Sequence, residues 1–83
     1  MKAKILRLME RRLIFSNHAI ERMIQPSRRL LKEDIKEAIR KGDIVEQQRP
    51  DVVVLQSRNP AICVVVGICD DYLVVITTWR GKK

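Results

Sequence analysis

The sequence predicts an α+β domain with two or three N-terminal helices packed on a three- to four-stranded antiparallel sheet. Three observations predict it. Up to Gly42 the apolar residues recur at helical spacing. Beyond Gly42 they form runs rich in Val, Ile and Thr, the residue types that suit a pleated surface. Short turns separate those runs, so neighbouring strands pair antiparallel. With 83 residues the chain has room for one small domain. A helical half over 1–42, a sheet over 43–80 and a tail over 81–83 make up that domain.

Residues 2–12 read as an amphipathic helix with Ile5, Leu8, Met9 and Leu13 at core spacing. Leu13-Ile14-Phe15 reads as a short extended bridge. Ser16 or Asn17 can accept a hydrogen bond from an orphan backbone N–H, which starts a second helix running to about Gln25. Ala19, Ile20, Met23 and Ile24 are its apolar positions, and His18, Arg22 and Gln25 share another face. Pro26 ends this helix, because the residue before a proline disfavours helical geometry. Ser27 is placed to cap a third helix over Ser27–Lys41, with Leu31, Ile35, Ala38 and Ile39 as its buried stripe. Glu33 and Glu37 are spaced to pair with Lys36 and Lys41, and Gly42 serves as a C-cap.

Four strands are expected after that. Residues 43–47 form a weakly signalled first strand, and Val52–Leu55 a stronger second. Ser57-Arg58-Asn59-Pro60 supplies turn chemistry. Ile62–Ile68 is an unbroken apolar run, Asp70-Asp71 makes a tight turn, and Tyr72–Trp79 closes the sheet. Cys63 and Cys69 read as buried, inert thiols and the two aspartates as turn residues.

Composition narrows the functional classes. Phe15, Tyr72 and Trp79 are the only aromatic residues, so the core is aliphatic. No apolar run approaches the roughly 20 residues of a bilayer span, and the basic start lacks the uninterrupted apolar stretch of a signal peptide. Two cysteines outside any C-x-x-C and a single histidine offer no zinc motif. A reduced, cytoplasmic domain without metal or cofactor is expected. The net charge of +7 is concentrated: residues 1–13 contribute +4 and residues 14–30 contribute +2. A cationic region of this kind suits a polyanionic partner, although a merely solvated basic helix gives the same count.

One stretch resembles a known family. Phe15-Ser16-Asn17-His18-Ala19-Ile20-Glu21-Arg22-Met23 is similar to the F-S-x-H-A-x-E-R-M signature of a small prokaryotic family of unknown function (DUF4258-like), grouped with the RelE/ParE-like toxin fold. Lys32–Glu46 resembles its second block, and Cys63–Val66 with Leu73–Arg80 its C-terminal hairpin. The chain departs from that pattern in three places. Gln25-Pro26-Ser27-Arg28-Arg29 replaces an arginine-glycine turn, Gln47–Asp51 replaces an aromatic, proline-rich stretch, and Trp79 stands where a tyrosine is common. The resemblance implies a toxin-like fold, whose relatives include endoribonucleases and gyrase poisons. It thereby implies RNA or the ribosome and a cognate antitoxin as partners. Fold alone does not fix the chemistry.

The residues can support RNA cleavage without a metal. That reaction needs a base for the 2′-hydroxyl, an acid for the leaving oxygen and cations for the charged phosphorane. Histidine is the residue type that exchanges protons near neutrality, and His18 is the single one. Arg22 lies one helical turn away and can grip a phosphate bidentately. Arg80, at the end of the last strand, is the third member of the catalytic set. Lys2, Lys4, Arg7, Arg11, Arg12, Arg28 and Arg29 are the expected nucleic-acid contacts. Trp79 reads as a core or interface anchor, with base stacking as the alternative. The competing reading makes His18 a packing residue and Arg22 a salt-bridge former. In that reading the chain is a non-catalytic module that binds nucleic acid or protein, with a homodimer through exposed sheet edges as a further expectation.

Overall fold

The computed structural model describes residues 1–27 and 29–82. The expected nucleic-acid contact Arg28 and the tail residue Lys83 lie outside the described residues. In chain order the elements are α1 (Lys2–Arg11), β1 (Leu13–Phe15), α2 (Asn17–Ile24), α3 (Lys32–Lys41), β2 (Asp43–Arg49), β3 (Val52–Arg58), β4 (Ala61–Ile68) and β5 (Leu73–Arg80). None of these helices is long and apolar enough to cross a membrane.

The α+β prediction holds, with one more strand than expected. The sheet has five strands in the order β1-β5-β4-β3-β2. β2 through β5 form an antiparallel meander, as short turns require. β1 adds to the outer edge of β5 in parallel, with Leu13 opposite Leu73 and Phe15 opposite Val75. The sheet is therefore mixed, and one of its strands lies within the helical half. Three apolar residues between two helices carry no alternation of their own. Their strand character comes from a partner sixty positions away, which local patterning does not encode.

One sheet face is covered by the helices. Ile5, Leu8 and Met9 of α1, Ala19 and Met23 of α2, and Ile35, Ala38 and Ile39 of α3 pack on Val53, Leu55, Ile62, Val64, Val66, Leu73 and Val75. At about 25 cal/mol per Å² of apolar surface removed from water, this aliphatic core is the main stabilising term. The other face carries a second cluster made of strand residues alone: Val54, Cys63 and Val65, with Val52, Ile76 and Trp79 against them.

The third helix begins later than predicted. It starts at Lys32, with Leu31 rather than Ser27 at the N-cap and the Asp34 Oδ2 accepting the Leu31 N–H at 2.8 Å. Ahead of it, Arg29 takes a left-handed conformation (φ 40°) and its N–H bonds the Gln25 carbonyl. The Leu30 N–H returns to the Met23 carbonyl, which turns Leu30 into the core and Leu31 outward. Leu31, predicted in the buried stripe, is 69% exposed, and Leu30 takes its place at 4%. The expected pairs on α3 are present: Glu33 with Lys36 at 3.5 Å and Glu37 with Lys41 at 3.3 Å, and Glu37 also meets Arg40 at 2.6 Å.

Gly42 does end α3, for a different reason than a left-handed turn. Its φ of −76° suits any residue. A Cβ there would collide with the Ala38 carbonyl oxygen and approach the Gln56 backbone to 2.9 Å. The β3 strand also runs further than predicted, through Ser57 and Arg58, so that Asn59-Pro60 alone makes the turn into β4. At the C-terminus the Gly81 N–H bonds the Ala61 carbonyl, so Gly81 of the expected tail is tied to the sheet.

Candidate functional site

Ser16 sets the position of α2. Its Oγ, one of the two candidate caps with Asn17, accepts the Ala19 N–H at 3.0 Å and donates to the Ile76 carbonyl at 2.8 Å. The Ser16 N–H bonds the Val75 carbonyl. Both β5 bonds come from one residue, so the start of α2 is pinned to the edge of β5 immediately beyond β1. Ala19 and Met23 then face the core, while His18 and Arg22, one turn apart, stand together outside it.

The strand opposite is irregular at the same level. Val66 faces Val75 and Val65 faces Thr77, so Ile76 is an extra residue in β5. Without that bulge, strict alternation would put Thr77 and Trp79 on the helix-covered face with Leu73 and Val75. The bulge shifts the phase. Thr77 lies opposite Val65 and Trp79 opposite Cys63, on the face that no helix covers, while Thr78 and Arg80 lie opposite Val64 and Ile62 on the helical side.

His18, Arg22, Thr77 and Trp79 together line a concave site of about 280 Å³. The Arg22 Nε donates to His18 Nε2 at 3.4 Å. His18 is exposed; Arg22, Thr77 and Trp79 are half-buried. Among the described residues, no side chain bonds the Thr77 hydroxyl or the Trp79 indole N–H, and neither group is buried. The site thus offers a proton-exchanging ring, a guanidinium, a hydroxyl and an aromatic surface. A larger hollow of about 400 Å³ lies between α3 and the β3–β4 turn, lined by Glu37, Lys41, Asp43, Arg58 and Pro60 among others. It contains no histidine, and its Glu37 is occupied by Arg40 and Lys41, whose hydrogen bonds hold that carboxyl below the usual range. The concave site on β5 is the stronger candidate.

The other predicted site residues are elsewhere. The Arg80 Nη2 donates to the Arg29 carbonyl at 3.2 Å on the helical side, bracing the α2–α3 connection, and Arg80 does not line the concave site. Lys2 spans from α1 to the C-terminal end of α3, where its Nζ donates to the carbonyls of Arg40 and Gly42. Arg11 pairs with Asp71 of the β4–β5 turn at 3.4 Å. Lys4, Arg7 and Arg12 are exposed and form no ion pair among the described residues. The Arg11–Asp71 contact places the end of α1 at the start of β5. Trp79 lies six residues further along, roughly 20 Å at strand rise. The Arg11 end of α1 and Trp79 therefore lie toward opposite ends of β5. Tyr72, in the β4–β5 turn, has its phenol raised above the usual range, chiefly by hydrogen bonding with Cys69.

A family model described as "Domain of unknown function (DUF4258)" matches residues 15–80. The chain belongs to that family. The matched span opens on Phe15, just before Ser16, and closes on Arg80, so this DUF4258 domain includes all four lining residues of the concave site. Neither a curated protein nor a solved structure gives a significant match. Among the described residues of this DUF4258 chain, no three His, Cys, Asp or Glu side chains gather into a group that could hold a metal ion.

Proposed function

We propose that this DUF4258 protein is a toxin-like, metal-independent endoribonuclease on a RelE/ParE-like scaffold, paired with a cognate antitoxin. The observation that carries the reading is the His18–Arg22 pair at 3.4 Å in a concavity shared with Thr77 and Trp79. In the proposed reaction the 2′-oxygen of RNA attacks the adjacent phosphorus. His18 takes the 2′-hydroxyl proton, and the P–O5′ bond breaks to leave a 2′,3′-cyclic phosphate. The departing 5′-oxygen takes a proton from water. Arg22 turns from the imidazole to the phosphate and stabilises the charge that builds on its oxygens. Arg80 supports this site at a distance, by holding the Arg29 carbonyl, rather than by touching phosphate.

The test is incubation of purified protein with single-stranded RNA, with and without ribosomes. Cyclic-phosphate products, lost in His18→Ala and Arg22→Ala, are the expected result. Products that persist in both variants would remove those roles.

A second reading, a non-catalytic nucleic-acid-binding module, draws on the exposed cations Lys4, Arg7 and Arg12 of α1. It predicts RNA affinity that falls steeply with salt, together with an absence of cleavage.

A further inference from the structure

We infer that Trp79 and Thr77 form a nucleobase subsite that selects unpaired RNA, an inference that rests on the RNA reading of the His18–Arg22 site. Trp79 lies against Val54, Cys63 and Val65 of the uncovered sheet face and also lines the concavity beside His18 and Arg22. That packing anchors the indole, so little side-chain entropy remains to be lost when a base lies on it. Bases stack on aromatic side chains when they are splayed out of a strand, whereas in an A-form duplex the base faces are already covered. The Thr77 hydroxyl, without a side-chain partner among the described residues, can donate to or accept from the edge of such a base. Arg22 in the same hollow supplies the phosphate contact that fixes the register of the nucleotide. The Ile76 bulge is what brings the two residues here, by turning both side chains away from the helical core.

Trp79 is the only tryptophan, so its emission reports on this subsite alone. The full chain is titrated with a 2′-O-methyl single-stranded oligonucleotide, which lacks the free 2′-hydroxyl and survives the proposed reaction. The same chain is titrated with an abasic oligonucleotide of equal charge and with the matching duplex. The single strand should quench Trp79 emission and bind more tightly than either control. Stacking contributes about 1–3 kcal/mol per base, so the abasic strand should bind about five- to 150-fold more weakly. Trp79→Phe should keep most of the difference between strands and Trp79→Ala should remove it. The abasic comparison on the unaltered chain stands even if Trp79→Ala fails to fold. Binding of the single strand without a change in emission, or equal affinity for the abasic strand, would overturn the subsite. Separately, unmodified RNA is scored for cleavage. Quenching without cleavage sinks the proposed activity and keeps the subsite; cleavage without quenching does the reverse.

Discussion

Arg22 Nε donates to His18 Nε2 across 3.4 Å, one turn along α2. The imidazole nitrogen is the acceptor in this bond, which is the form a general base requires. The guanidinium keeps its remaining donors for an anion. Both side chains lie outside the core, so their removal should cost function rather than fold. His18→Ala should lower the RNA cleavage rate by about 10²–10⁴-fold, the span typical of general acid–base groups. Unfolding free energy in urea should change by no more than about 0.5 kcal/mol. A large loss of stability would make His18 a packing residue instead.

Ser16 is the opposite kind of residue. It caps α2 through Ala19 and bonds the Ile76 carbonyl. Ser16→Ala should cost about 1–2 kcal/mol in urea unfolding from the lost cap and the lost cross-link. Cleavage should fall as well, because α2 then loses a constraint on its position against Thr77. Ser16→Thr, which keeps the hydroxyl, should recover most of both.

Gly42 tests the packing of α3 on the sheet. A methyl group at this position meets the Ala38 carbonyl and the Gln56 backbone, neither of which can swing away. Gly42→Ala should destabilise by about 1–3 kcal/mol, the range for overpacking a filled site. Thermal unfolding measures it, and an unchanged midpoint would show that the backbones give way freely.

The cations of α1 separate into two roles. Lys2 bonds the carbonyls of Arg40 and Gly42, whereas Lys4, Arg7 and Arg12 form no ion pair among the described residues. If α1 meets RNA, neutralising Lys4, Arg7 or Arg12 should each reduce the slope of log affinity against log salt by about 0.7. Lys2→Met should leave that slope nearly unchanged and lower stability instead, by about 0.3–1 kcal/mol, as expected for a cation removed from a helix C-terminus.

Glu37 gives a pH-dependent contribution whose sign is defined. Arg40 and Lys41 hold its carboxyl below the ordinary value of 4.5. The charged form is therefore favoured in the folded chain. Its stabilisation is fully present above that value and fades as pH falls through the folded value. Unfolding of the unaltered chain and Glu37→Gln should differ most near neutrality and converge in acid, once pH has fallen below the lowered folded value. A gap that widens in acid would contradict the pairing.

Much of this arrangement was legible in the sequence, for identifiable reasons. The apolar spacing in α1 and α2 and the Ser16 cap are local signals, and they placed His18 and Arg22 on one face. The strands β3 to β5 follow from β-branched runs split by turn residues. What stayed hidden depends on distant partners. Leu13–Phe15 is extended as its sequence suggests, but its pairing with Leu73–Val75 is not a local signal. The late start of α3 follows from the left-handed Arg29 and the return of Leu30 to Met23, neither of which a Ser27 cap signal reveals. Thr77 is not legible as a site residue because period-2 alternation assigns it to the core face, and the bulge at Ile76 reverses that assignment. Arg80, at the end of the last strand, falls on the other side of the sheet for the same reason of phase.

The central claim is that His18 and Arg22 act together on an RNA phosphodiester. The most direct measurement is the identity and rate of product formation from single-stranded RNA for the unaltered chain, His18→Ala, Arg22→Ala and the double variant. The account predicts 2′,3′-cyclic phosphate ends, a large loss in each single variant, and a double variant little worse than the poorer single one, as for groups that work as a unit. Cleavage by His18→Ala at the unaltered rate would contradict it.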